Sequence, residues 1–103
     1  MGKKQEIRSL ANSIGLVSAH KILVRHTNKP ESVKHLEDEV GDYSVDAFEK
    51  SQQHTWTKED IEEIKTKAER ETENGLKKYH DISVEEQEIK SSVIDTMQEL
   101  LLI

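Results

Sequence analysis

Histidine and carboxylate side chains are the first candidates for chemistry in this sequence. Glu31 and His35 are four residues apart and therefore share one face of a helix, His20 and His26 precede them, and Glu39 follows one turn later. Carboxylates and histidines on facing helices hold zinc or iron in helical bundles. Those bundles repeat a Glu-x-x-His unit on two helices, and this sequence contains no such unit. We therefore expect surface histidines and no cofactor, and keep His20, Glu31 and His35 as candidates for an alternative metal site.

A row of basic residues is the second candidate for a functional site. Lys21, Arg25 and Lys29 recur every four residues on the first predicted helix, a spacing that aligns them on one face. Such a row can contact the phosphates of a nucleic acid, but no aromatic residue interleaves with it to stack on bases. Residues 1–30 carry a formal charge of +5 and residues 31–103 a charge of −11. We therefore favour pairing of this row with the acidic helices of the chain itself, with nucleic-acid contact as the alternative.

A helix-turn-helix unit at residues 31–51 would strengthen that alternative. The segment has the pattern of a helix, a turn at Gly41 and a second, short helix. A recognition helix presents basic or amide side chains to bases and phosphates. Here the exposed side of the second helix carries Asp46 and Glu49, which would repel phosphate. The sequence therefore favours an ordinary helical hairpin over a DNA-binding one.

Nucleophilic catalysis has no supporting motif. The chain contains no Gly-x-Ser-x-Gly sequence and no glycine-rich phosphate loop, and its four glycines are widely separated. It also contains no cysteine, which excludes thiolate nucleophiles, disulfides and cysteine-ligated metal sites. We therefore expect a protein without enzymatic activity.

The elements that must position all of these residues are helices. Apolar residues recur at spacings of three and four along the chain, which predicts an all-α, compact bundle of about five helices in a single domain, residues 1–103. The predicted helices are approximately residues 4–26, 30–41, 44–51, 58–79 and 84–102. Gly15 and Gly75 are the two positions where a predicted helix could be interrupted, and Gly41 is placed as the residue that ends the second helix.

Capping patterns mark the start of the last two helices. Thr57, followed by an acid three residues later, approximates a capping box, and Trp56 and Ile61 have the spacing of a hydrophobic staple. Ser83 and Glu86 form a second capping-box pattern. Both patterns predict that a helix begins immediately after the capping residue.

The last predicted helix carries two apolar stripes and leads into four aliphatic residues, 100–103. With only 33% hydrophobic residues, a chain of this length builds a modest core. We therefore expect self-association, or contact with a protein partner, through Val93, Met97, Leu100 and Leu101. The preferred expectation is a non-enzymatic helical protein that acts through protein–protein contact, and binding of nucleic acid or metal ranks below it.

Targeting signals are the last feature of the sequence. No apolar run approaches the roughly 20 residues that span a bilayer. The residues after Met1 are polar and charged instead of forming the apolar stretch of a signal peptide. Together with the lack of cysteine, these features lead us to expect an acidic, soluble protein of the cytoplasm that makes no membrane contact.

Overall fold

The computed structural model describes residues 3–27, 30–79 and 82–103. The helices are α1 (Lys3–His26), α2 (Pro30–Ser51), α3 (Lys58–Leu76) and α4 (Glu86–Glu99). No strand occurs in the described residues, so the all-α prediction is confirmed, whereas the predicted count of about five helices is one too high. None of these four helices has both the length and the apolar composition needed to cross a bilayer.

The helix count is lower because α2 continues through Gly41. The half-buried or buried face of α2 comprises Val33, Leu36, Val40, Tyr43 and Ala47. These residues alternate at spacings of three and four, so one continuous helix keeps all of them against a neighbour. A glycine inside a helix costs only about 1 kcal/mol relative to alanine, which this packing outweighs. The predicted break at Gly41 is therefore wrong, and so is a hairpin at residues 31–51, whether the favoured ordinary hairpin or the DNA-binding helix-turn-helix.

Helix α1 is the centre of the bundle. It contacts α2, α3 and α4, and α3 also contacts α4. In contrast, no Cα atom of α2 lies within 8 Å of a Cα atom of α3 or α4. Eleven residues of α1 are buried, because α1 has neighbours on several sides. Among the described helices, α1 is therefore the close neighbour of α2.

Two glycines lie at the contact between α1 and α3 and interrupt neither helix. A Cβ atom on Gly15 would lie 2.6 Å from the Cβ atom of Glu71 and 3.2 Å from the backbone nitrogen of Thr72, so no larger residue fits there without movement. A Cβ atom on Gly75 would lie 3.5 Å from the Cβ atom of Ala19, an ordinary packing distance. The stripe of buried residues in α3 ends at Leu76, and the helix ends there, three residues before the predicted end.

The capping box at the start of α3 is confirmed. The Thr57 hydroxyl accepts a hydrogen bond from the backbone N–H of Asp60 at 3.1 Å, and the Asp60 carboxylate accepts one from the backbone N–H of Thr57 at 2.9 Å. Trp56 and Ile61, the predicted staple residues, both pack against the larger core cluster. The Trp56 indole also donates to the backbone carbonyl of Ser51 at 3.0 Å, which holds the α2–α3 connection in place.

The capping box predicted at Ser83 is wrong. Helix α4 begins at Glu86, and its N-cap residue, Glu85, makes no side-chain capping hydrogen bond. Ile82 and Val84 alternate along the preceding segment, and both pack against the smaller core cluster. The chain remains non-helical there because alternation places both of these side chains on the core, and the helix starts two residues later than predicted.

Candidate functional site

The four predicted interface residues of the last helix fall into two groups. Val93, Met97 and Leu100 are buried in the core of the chain itself, within the cluster that also contains residues of α1 and α3. Leu101 is 82% exposed. The apolar stripe of α4 is therefore covered within the chain, and Leu101 is the predicted interface residue that remains accessible to a second protein.

Leu101 also has an unusual backbone conformation. Its φ angle is 61°, the left-handed region that favours glycine. The N–H of Leu101 donates to the carbonyl of Gln98 and the N–H of Leu102 to that of Met97, both at 3.0 Å, the hydrogen-bond pattern of a Schellman motif. Leu102 packs against the core and fixes the turn. The result is an exposed leucine at a position that costs a non-glycine residue roughly 1–2 kcal/mol.

A groove runs between α2 and α4, whose Cα atoms nowhere approach within 8 Å of each other. At one end it opens into a space of about 290 Å³ between Phe48 and Val45 of α2 and Leu100 of α4. At the other end, Lys21 and Arg25 of α1 form part of its lining. We call this feature the α2–α4 groove; its remaining lining residues are Val24, Glu37, Val40, Gly41, Ser44, Ala47, Asp95, Thr96, Gln98 and Glu99.

The basic row pairs with α4. The Nζ atom of Lys21 donates to Glu99 Oε1 at 2.6 Å and to Thr96 Oγ1 at 3.1 Å. The guanidinium of Arg25 lies 3.7 Å from Glu88 and 4.0 Å from Asp95. Lys29 lies outside the described residues. Two of the three cations of the row thus contact acids of the chain itself, which reduces the positive charge available to phosphate.

The contact between α1 and α4 contains a small buried polar network. Ser18 donates to Thr96 Oγ1 at 3.3 Å, and Ser92 donates to the backbone carbonyl of Ser18 at 3.0 Å. Every buried side-chain nitrogen or oxygen of the described residues has a hydrogen-bond partner. These hydroxyls therefore hold the two helices together, and Thr96 links the network to Lys21 at the edge of the α2–α4 groove.

The metal candidates meet at a different carboxylate from the one predicted. Glu39, not Glu31, accepts from both histidines: His20 Nε2 lies 2.6 Å from one carboxylate oxygen and His35 Nε2 lies 2.5 Å from the other. These separations are those of charge-assisted hydrogen bonds. No set of three His, Cys, Asp or Glu side chains in the described part of the chain has the arrangement of a metal site. The second ring nitrogen of His20, Nδ1, lies 2.8 Å from the carbonyl of Leu16, so His20 connects the backbone of α1 to Glu39 of α2.

A second polar contact joins α1 to α2. Ser13, which is buried, donates to Asp46 Oδ2 at 2.8 Å, and Lys50 donates to the Ser13 hydroxyl at 2.8 Å and lies 3.1 Å from the Asp46 carboxylate. The hydrogen bonds from Ser13 and Lys50 hold the pKa of Asp46 below its usual value. Sequence reasoning missed this contact because only the acid-first Asp46–Lys50 spacing is local; the position of Ser13 depends on how α1 packs.

The outer surface of α2 is acidic. Its ion pairs involve Glu39 and Asp46. Five further acids of this helix are exposed and have no basic group of the described residues within 4 Å: Glu31, Glu37, Asp38, Asp42 and Glu49. One of these five acids, Glu37, lines the α2–α4 groove.

No family model, curated protein or solved structure matches the chain significantly. The function is therefore inferred from the features described above.

Proposed function

We propose that this chain is a non-enzymatic, cytoplasmic helical protein that acts through protein–protein contact and self-associates at the C-terminal end of α4. The observation that carries the proposal is the exposure of Leu101 at a left-handed backbone position. Burial of a leucine side chain contributes about 1.5–3 kcal/mol, similar in size to the cost of that conformation. A surface that covers Leu101 therefore offsets the local strain.

The extent of the exposed apolar surface at this end determines how strong the self-association is expected to be. Ile103 is also exposed and lies two residues from Leu101, so the two side chains form the apolar surface at this end. Two such side chains are far fewer than the 20 to 30 residues that each partner contributes to a typical stable interface. The proposal is therefore a concentration-dependent homodimer in which the same end of each copy meets across a two-fold axis.

Sedimentation equilibrium over a wide concentration range tests this proposal. Leu101→Asp combined with Ile103→Asp is expected to lower the weight-average mass toward that of one chain, because two charges cannot be buried against each other. Tyr79→Asp is the matched control, since Tyr79 is a large exposed residue that lies three residues after the end of α3. A wild-type chain that stays monomeric at millimolar concentration contradicts self-association.

A further inference from the structure

The α2–α4 groove has the arrangement of a site for one more helix. Ser13 pairs with Asp46 and His20 with Glu39, so the chain direction of α2 is opposite to that of α1. Helix α4 also runs opposite to α1, since its C-terminal end packs with the N-terminal part of α1. Helices α2 and α4 are therefore parallel to each other, flank α1 and leave a groove between them that α1 floors.

The lining of the groove suits the apolar face of an amphipathic helix. Val45 is 59% exposed and Phe48 46% exposed on the α2 wall, and Leu100 and Thr96 lie on the α4 wall. Helix-in-groove recognition uses apolar anchors at such positions, and half-exposed aromatic side chains are frequent energetic centres of interfaces. Phe48 is thus the side chain that gains most from being covered.

The charges on the walls of the α2–α4 groove indicate what kind of helix it binds. On the α2 wall, Glu37 is exposed and has no basic group of the described residues within 4 Å. On the α4 wall, Asp95 and Glu99 remain exposed although they contact Arg25 and Lys21, the two cations that line the floor of the groove. A second copy of this chain, with its net charge of −6, would add negative charge to this surface. A helix with lysine and arginine beside its apolar stripe would instead be attracted to it.

We infer that the α2–α4 groove binds a basic amphipathic α-helix of a partner protein, with the apolar stripe of that helix against Val45 and Phe48, the two half-exposed apolar side chains of the α2 wall. This site lies on the side walls of α2 and α4 and does not use Leu101. Binding in the groove and self-association at the end of α4 are consequently independent, and each can fail without the other.

A titration with a designed peptide tests the inference. The probe is a fluorescent helix of about 18 residues with leucine at positions i, i+3, i+4 and i+7 and lysine elsewhere, added to the full chain at about 0.15 M salt. One control peptide has the same composition with the leucines moved off the stripe, and another has glutamate in place of lysine. We expect saturable binding of the probe, and affinities for both controls that are lower by about tenfold or more.

Protein variants locate the binding. Phe48→Asp is expected to weaken probe binding by about tenfold or more, the change that follows loss of an interface anchor. Tyr79→Asp, with the same charge change at a similarly exposed aromatic residue (42% exposed), is expected to change it by less than about twofold. Circular dichroism confirms that both variants retain their helices.

Three results overturn the inference: equal binding of the probe and the rearranged peptide, equal binding by the wild type and Phe48→Asp, or no binding of the probe together with a loss of self-association in Phe48→Asp. The last result would assign the groove to a second copy. A monomeric wild type that binds the probe contradicts the proposed self-association and leaves the groove assignment intact.

Discussion

Phe48 of α2 and Leu100 of α4 line the same groove, although no Cα atom of one helix approaches the other within 8 Å. Leu100 is 5% exposed and belongs to the larger core cluster, whereas Phe48 is 46% exposed. The asymmetry follows from the central position of α1, which gives α3 and α4 two neighbours each and α2 one.

Gly15 is expected to be essential for the α1–α3 contact. Gly15→Ala places a Cβ atom 2.6 Å from that of Glu71, and such overpacking costs about 1–3 kcal/mol. Gly41→Ala is the control, because its Cβ atom would meet nothing within 4 Å; this change is expected to stabilise the chain by up to about 1 kcal/mol through higher helix propensity. Urea unfolding measures both free energies, and equal effects would contradict the described α1–α3 packing.

Leu101→Gly is expected to stabilise the folded monomer and to weaken its self-association. Glycine adopts the left-handed conformation without the clash of a Cβ atom, so the free energy of unfolding of the monomer should rise by about 1 kcal/mol. The same change removes an apolar contact and should weaken the homodimer. Thermal unfolding at low protein concentration measures the first effect and sedimentation the second; a destabilised monomer would contradict the left-handed conformation at Leu101.

The capping carboxylate Asp60 is expected to make stability depend on pH. Hydrogen bonds from Lys3 and from the backbone N–H of Thr57 hold the pKa of Asp60 below its ordinary value. Because the pKa is lower in the folded state, this contribution is present above the unfolded value of about 4 and is lost as the pH falls through the folded value. The difference in melting temperature between the wild type and Asp60→Asn should therefore shrink at acidic pH. A difference that stays constant between pH 2 and 6 would contradict this assignment.

Helix α2 is expected to separate from the bundle before the other helices do. Among the described helices its close neighbour is α1, and the His20–Glu39 hydrogen bond joins the two. His20→Ala should raise amide hydrogen exchange in α2 on the order of tenfold, since a hydrogen bond to a charged group contributes roughly 1.5–3 kcal/mol. His54→Ala, which alters a histidine in the α2–α3 connection, is the control. An equal increase in α3 and α4 would instead indicate that the bundle opens as one unit.

The local signal at Thr57 was predictable from the sequence, whereas the equally local pattern at Ser83 was overridden by the packing of Ile82 and Val84. Contacts between distant segments were not predictable. Thr57 and its capping partner are three residues apart, so their pattern is complete within one turn. Whether Gly41 ends a helix depended on how the flanking residues Val40 and Tyr43 pack on α1, which no local pattern contains. In the same way, the α1–α2 register places Glu39, not Glu31, opposite His20.

The candidate interface shows the same limit. The apolar stripe through Val93 and Met97 was identified correctly, but a stripe does not reveal which chain covers it. The structure covers it with α1 and α3 and leaves Leu101 outside. The α2–α4 groove was not predictable, because it exists only where two helices distant in sequence flank a third without touching.

An isotope-filtered NMR experiment on a mixture of labelled and unlabelled chain tests the central claim most directly. At millimolar concentration, the account predicts intermolecular contacts from the methyl groups of Leu101 and Ile103 to the same end of a second copy, together with slower tumbling that reverts on dilution. The absence of intermolecular contacts from these methyl groups, with the tumbling rate of a single chain at every concentration, would contradict it.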